Sequence, residues 1–78
     1  MARTPSLRQL RAFKTIMSMG GMTAAAEALN LTQPALSKQI ASLEDTLKLR
    51  LFDRRKGGPM MPTQEGLAFF KSIEGTLY

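Results

Sequence analysis

The sequence predicts a mainly α-helical domain, in which three helices precede a short β-hairpin and a further helix begins near the carboxyl end. Apolar residues recur at helical spacing in several stretches, which Gly20-Gly21 and Asn30 interrupt. The stretch after residue 48 instead combines an apolar run with a Gly57-Gly58 turn. With 78 residues, the chain is long enough for one small domain with a modest core.

The first helix is predicted to run to Met19, with Ser6 as its N-cap and Gly20-Gly21 at its end. Its apolar face comprises Leu7, Leu10, Phe13, Ile16 and Met17. Its polar face carries Arg8, Arg11 and Lys14, which either contact phosphate or simply solubilise the helix.

A short helix and a longer one follow. Thr23 is the predicted N-cap of a helix of about two turns, whose alanines allow another helix to approach closely. Asn30 can adopt the left-handed conformation that ends it. Thr32 then caps a longer helix over 33–47, with Pro34 in its first turn. A short helix, a tight turn and a longer capped helix form a helix-turn-helix arrangement.

The longer helix has two distinct faces. Leu36, Ile40, Leu43 and Leu47 form its apolar stripe, and Leu31 is placed to staple onto Leu36. The outer face is small, polar and basic, and comprises Pro34, Ser37, Lys38, Ala41 and Ser42. Both acids, Glu44 and Asp45, come late. This distribution suits a helix that enters the DNA major groove by its N-terminal half, although an ordinary amphipathic helix would look similar.

The predicted hairpin has one strand over Leu49–Arg54 and a return strand over Pro59–Met61. Pro59 and Pro62 indicate an edge strand or an irregular one. Near the tip lie Arg54, Arg55 and Lys56, which would contact the phosphates beside the groove if the hairpin is a wing. The alternative is a basic surface loop.

Thr63 is the predicted cap of the last helix, and Glu65 lies in its first turn. The apolar stripe of this helix comprises Leu67, Phe69, Phe70, Ile73 and Leu77. We expect Ile73 and Leu77 to lie beyond the reach of so small a core, where they would meet a partner. Because no stop signal precedes Tyr78, the helix looks cut partway.

The amino-acid composition excludes several classes of function. Eleven Lys and Arg against six acids give a net charge of +5, which favours a polyanionic partner. The absence of His and Cys removes the usual zinc sites and the Ser-His and Cys-His dyads. The glycine spacing makes neither a P-loop nor a dinucleotide fingerprint. We therefore predict no enzyme activity, no cofactor and no metal. No apolar run is long enough to span a membrane, and Met1–Ser6 lacks a signal-peptide core.

At several places together the sequence resembles the N-terminal DNA-binding domain of LysR-type transcriptional regulators. The resemblance runs from Leu7 to about Phe70, and its specific segments are Ala25–Leu29, Thr32–Ser37, Leu43-Glu44, Leu51–Arg54 and Pro62–Gly66. It implies a winged helix-turn-helix domain over 1–62, followed over 63–78 by the start of a linker helix that pairs two subunits. It also implies a C-terminal effector-binding domain, which this chain lacks.

The resemblance further implies a set of site residues. Base reading would fall to Gln33, Pro34, Ala35, Ser37 and Lys38. Phosphate contacts would come from Thr23 and Thr32 at helix starts and from Arg54, Arg55 and Lys56 on the wing. Dimerisation would involve Phe70, Ile73 and Leu77. The implied partners are a pseudo-palindromic double-stranded operator, a second subunit, higher oligomers of the full-length parent and a small-molecule effector. The implied location is the cytoplasm of a bacterium, at the nucleoid.

Three positions depart from the family pattern. Lys48 replaces the usual helix-ending glycine, so the third helix could end differently. Lys38 replaces the commoner arginine, which exchanges a bidentate fork for a point charge. Gly57 occupies a wing-tip position that is often arginine, and Arg55 or Lys56 could supply that charge instead.

Two other functions compete with DNA binding. Winged domains also serve as protein-interaction modules, and the charge of +5 argues against that use here. A basic amphipathic helix can bind an anionic membrane surface. The narrow apolar faces of the predicted helices fit one shared core better than a membrane.

Overall fold

The computed structural model describes residues 4–54 and 60–74. In chain order the elements are α1 (Leu7–Met19), α2 (Met22–Leu29), α3 (Gln33–Leu47), β1 (Phe52–Arg54), β2 (Met60–Pro62) and α4 (Gln64–Glu74). This confirms the predicted mainly α-helical winged helix-turn-helix fold. No helix in the described part of the chain is long and apolar enough to cross a membrane.

The ends of α1 follow the predicted signals. The backbone N–H of Gln9 donates to Ser6 Oγ, and the Ser6 N–H donates to Gln9 Oε1, each at 3.0 Å. These reciprocal bonds form a capping box, which satisfies two otherwise unpaired donors at the helix start. Gly20 ends the helix at φ 82° in the left-handed region, where a residue without Cβ is favoured.

The start of α2 differs from the prediction. Its N-cap is Gly21, and Thr23 lies inside the first turn, so the assignment of Thr23 as N-cap is wrong. The end of the helix is as predicted, because Asn30 is left-handed at φ 60°. The Leu31 N–H donates to the Ala26 carbonyl at 2.8 Å, and the Asn30 N–H donates to the Glu27 carbonyl at 3.1 Å. This pair of bonds is a Schellman motif, which makes the turn between α2 and α3 short.

Helix α3 has the predicted bounds and cap. Thr32 Oγ1 accepts a hydrogen bond from the Ala35 N–H at 3.2 Å. At the other end, Lys48 adopts the left-handed conformation at φ 58°, and the Leu49 N–H donates to the Glu44 carbonyl at 3.2 Å. Lys48 therefore ends the helix in the conformation that glycine normally supplies. A lysine carries a steric cost there that glycine avoids.

Lys48→Gly is therefore expected to stabilise the domain by about 0.5–1 kcal/mol, because it removes the left-handed penalty. The ion pair with Asp45 that it also removes, at 3.9 Å on an exposed surface, should count for little. Urea unfolding followed by circular dichroism measures the change. Lys48→Ala is the control, because it removes the charge and keeps the Cβ. A gain of the same size in Lys48→Ala would assign the effect to charge.

The core lies where α1, α2, α3 and the hairpin meet. Phe13 of α1 is fully buried at its centre, and its ring centroid lies 5.5 Å from those of Phe52 and Phe69 and 6.2 Å from that of Phe70. The predicted stripe of α3 is confirmed, since Leu36, Ile40 and Leu43 are fully buried and Leu47 packs against them. Among the described residues, the other buried apolar side chains are those of Ala12, Ile16, Ala25, Ala26, Leu51, Phe52 and Ile73.

The core extends further along α4 than predicted. Ile73 is only 8% exposed and belongs to the core cluster, so the expectation that it lies beyond the core is wrong. The reason is that α4 packs against α1 and β2, which carries the core along three turns of α4. Leu67, assigned to the same stripe, is 52% exposed and lies off it. Leu77 falls outside the described residues.

The hairpin is antiparallel, with Phe52 opposite Pro62, Asp53 opposite Met61 and Arg54 opposite Met60. The first strand is shorter than predicted, because the Leu49 N–H bonds to the Glu44 carbonyl and the Leu51 N–H bonds to the Glu44 side chain at the end of α3. The return strand extends to Pro62. The predicted turn at Gly57-Gly58 and the residues Arg55, Lys56 and Pro59 lie outside the described residues.

Candidate nucleic-acid interface

The N-terminal half of α3 presents the predicted small, polar and basic surface. Gln33, Pro34 and Lys38 are exposed, while Ala35 and Ser37 are half-buried. The apolar stripe on the other side of the helix holds it in place, with Leu36, Ile40 and Leu43 fully buried. An exposed helix face with no bulky side chains can approach base edges closely.

Ser42, also predicted on this face, is half-buried and makes a contact with α1. Its Oγ accepts a hydrogen bond of 2.9 Å from Gln9 Nε2, which ties the third turn of α3 to the start of α1. Gln9 was not singled out from the sequence, although its spacing from Ser6 is that of a capping box. The same side chain thus caps α1 and helps to hold the exposed helix in place.

A surface groove of about 400 Å³ separates the start of α1 from α3. It is lined by Ser6, Arg8, Gln9, Ala35, Lys38, Gln39 and Ser42. Arg8 and Lys38 therefore contribute cations from two helices to one groove. Arg11 lines an adjoining groove with Arg8 and Gln39. The fold thus extends the positive charge of α3 onto the polar face of α1.

The exposed N-terminal half of α3 carries no carboxylate of its own. The first acid of the helix is Glu44, and its Oε2 accepts hydrogen bonds from the backbone N–H groups of Leu51 at 2.8 Å and Phe52 at 3.2 Å. Asp45 lies beside Lys48 at the far end. Periodicity did not point to Glu44 as an anchor. Its two bonds fix the start of the hairpin to the end of α3.

Thr63 and Gly66 hold the other side of the hairpin. The Thr63 N–H donates to the Leu51 carbonyl at 2.9 Å, and Thr63 Oγ1 donates to the carbonyl of Arg50. The Gly66 N–H donates to Thr63 Oγ1 at 2.9 Å, which confirms Thr63 as the cap of α4. A Cβ on Gly66 would overlap the Leu51 carbonyl oxygen, so the close contact requires glycine. The hairpin is therefore fixed relative to α3 and α4.

The predicted phosphate contacts are only partly within the described structure. Thr23 and Thr32 are exposed at the starts of α2 and α3. Gln33 Nε2 donates to Thr23 Oγ1 at 3.1 Å, which brings a predicted base-reading residue and a predicted phosphate contact together. Arg54 ends β1, while Arg55 and Lys56 lie outside the described residues. Within the described ranges there is no group of three or more side chains suited to hold a metal.

These features define a winged helix-turn-helix protein, in which the N-terminal half of α3 is exposed and carries no carboxylate. The family model for the bacterial regulatory helix-turn-helix proteins of the lysR family matches residues 7–67. The chain belongs to this family of bacterial regulatory proteins.

Three relatives illustrate the similarity. The regulator CbbR of Sinorhizobium medicae is 50% identical over 70 residues, which cover 90% of this chain and 22% of CbbR. The protein in the CbnR_DBD–DNA complex is 32% identical in sequence to this chain, and the two superimpose with a TM-score of 0.82. The match covers 92% of this chain and 82% of that one. The BenM_DBD complex with benA site 1 DNA is 36% identical with a TM-score of 0.83, covering 92% and 80%. The chain spans about a quarter or less of the length of the curated regulators that it matches.

Proposed function

We propose that this chain binds double-stranded DNA in a sequence-specific manner, as the DNA-binding domain of a LysR-type transcription regulator. The observation that carries the proposal is the N-terminal half of α3, which is exposed, small, basic and free of carboxylates. Its likeness to the domains in two DNA complexes supports the same function.

Helix α3 would enter the major groove by its Gln33 end. The groove of B-DNA is about 12 Å wide and admits one α-helix. The helix N-terminus carries partial positive charge, which favours nearby phosphates. Gln33 can pair with an adenine edge, and Lys38 can donate to guanine as a point charge. Pro34, Ala35 and Ser37 would line the approach to the bases.

Phosphate contacts would flank this helix. Thr32 Oγ1 accepts the capping bond and keeps its own O–H to donate to a phosphate oxygen. The wing residues Arg54, Arg55 and Lys56 would lie on the backbone beside the groove. The Glu44 anchor supports this role, because it fixes the base of the hairpin to α3.

The assembly would be a dimer on a pseudo-palindromic operator, since two-fold symmetry in the protein suits two-fold symmetry in the site. The pairing would use α4 and the chain beyond it, with Phe70, Ile73 and Leu77 as the residues that the family resemblance implies. Ile73 is buried within its own subunit and so is not available to a partner, whereas Leu67 is exposed on the same helix. Higher oligomers, a small-molecule effector and a location at the bacterial nucleoid in the cytoplasm would belong to the full-length parent.

A charge reversal on α3 tests the proposal. Lys38→Glu should weaken binding to duplex DNA about tenfold, because it places a carboxylate beside the phosphates. Lys48→Glu changes the net charge equally at the far end of the same helix and should have little effect. Gel shifts with random duplex at low and moderate salt measure both. Absence of any shift at low salt would favour a protein-interaction module, and binding to anionic vesicles instead would favour a membrane role.

The wing gives a separate prediction. Replacing both Arg55 and Lys56 by alanine should weaken binding to specific and random duplexes alike. The slope of log K against log salt should become shallower by about 0.9 for each phosphate that the wing no longer neutralises. Lys48→Ala with Lys71→Ala removes the same charge elsewhere and should leave the slope nearly unchanged. An unchanged slope in the wing variant would mean that its cations are solvated.

A further inference from the structure

The side-chain bond between Thr23 and Gln33 links the starts of the two helices of the helix-turn-helix. Gln33 Nε2 donates to Thr23 Oγ1 at 3.1 Å, and both residues are exposed. Thr23 is available for this bond because Gly21 is the N-cap of α2 and the Thr23 hydroxyl caps nothing. The bond thus joins two residues at the candidate interface and caps neither helix.

The Gln33 side-chain amide keeps hydrogen-bonding groups for DNA after it has bonded to Thr23. A glutamine side chain has two N–H donors and one carbonyl oxygen. After one N–H is given to Thr23, one N–H and the oxygen remain. Those are the two groups that a bidentate contact with adenine needs, a donor for N7 and an acceptor for the N6 amino group. Because Thr23 Oγ1 acts as acceptor here, its own O–H stays free to donate to a phosphate oxygen.

The bond also limits the conformations of Gln33 before DNA arrives. An exposed glutamine loses substantial rotamer entropy when it is immobilised at an interface. A side chain already held in the reading orientation loses less. We propose that Thr23 is a positioning residue that orients the Gln33 amide for base reading and couples it to a phosphate contact. This inference rests on the proposed function, and Thr23 acts through Gln33.

Selection of binding sites from a randomised duplex library tests it on the 78-residue chain. The sites selected by Gln33→Ala are first compared with those selected by the unaltered chain. The base pairs at which the variant loses its sequence preference are the ones that Gln33 reads. Thr23→Val, which replaces the hydroxyl by a methyl of similar size, should reduce discrimination at the same base pairs by about 3- to 10-fold, the effect of one hydrogen bond. Preferences at other positions should persist. Thr23→Ser should restore most of the discrimination.

Two controls separate positioning from a structural role. Thr23→Val in the Gln33→Ala background should cause no further loss of discrimination, since the residue to be oriented is gone. Thr15→Val removes a hydroxyl that donates to the Arg11 carbonyl within α1 and should leave the preferences unchanged. Discrimination is the ratio of the affinities of one protein preparation for two DNA sequences. A change in the folded fraction alters both affinities equally and does not change their ratio.

The outcomes are distinct. A loss confined to the Gln33 positions, with rescue by serine, supports the proposal. Equal weakening of all sequences by Thr23→Val would make Thr23 a phosphate contact alone, and unchanged binding would make the bond incidental; either result overturns the proposal. If the unaltered chain selects no preferred sequence, the proposed function fails and this inference fails with it. If it selects one and Thr23→Val leaves the preferences intact, only the inference fails.

Discussion

Ile73→Asp is expected to destabilise the domain by about 3–5 kcal/mol, because it places a carboxylate in the core and removes a buried aliphatic side chain. Ile73 is 8% exposed and belongs to the cluster around Phe13. Domains of this size are stable by only about 4–12 kcal/mol. Urea unfolding followed by circular dichroism should show a large fall in the midpoint, or a chain that is already unfolded.

Leu67→Asp is the matched control on the same helix. Leu67 is 52% exposed, so the same charge should change the stability by less than about 0.5 kcal/mol. Sedimentation of this variant also tests the assembly, because a dimer that uses the outer face of α4 should dissociate more readily. A folded Ile73→Asp chain of unchanged stability would mean that α4 does not complete the core.

Gln33→Ala is expected to cost about 1–3 kcal/mol, roughly 5- to 150-fold in affinity, on a duplex selected by the unaltered chain. The reason is that alanine cannot make the bidentate pair with a base edge. Random duplex should lose little, because its binding depends on phosphate contacts. Fluorescence anisotropy with both duplexes at one salt concentration measures the difference.

The fold should tolerate this change. Gln33 is exposed and lies off the leucine stripe, so the unfolding midpoint of Gln33→Ala should stay close to that of the unaltered chain. An equal loss of affinity on both duplexes would reassign Gln33 to backbone positioning. Substantial unfolding would instead show that its bond to Thr23 holds α2 and α3 together.

Local signals determined most of the helices. Ser6, Thr32 and Thr63 cap the helices that they were predicted to cap, and Asn30 ends α2 in the left-handed conformation. Such signals act within a few residues of the chain, so the sequence reveals them directly. The leucine stripe of α3 was likewise predicted, because a helix buries one face whatever it packs against.

Tertiary structure decided what depends on neighbours distant in the chain. Periodicity placed Leu67 and Ile73 on one stripe, but the position of α1 and β2 against α4 buried Ile73 and left Leu67 exposed. The sequence places Glu44 near the C-terminal end of α3. Only the fold showed that its carboxylate binds the backbone N–H groups at the start of β1. The bond from Gln33 to Thr23 likewise required the turn that brings the two helix starts together. Contacts of this kind join segments whose separation along the chain carries no local pattern, so packing alone determines them.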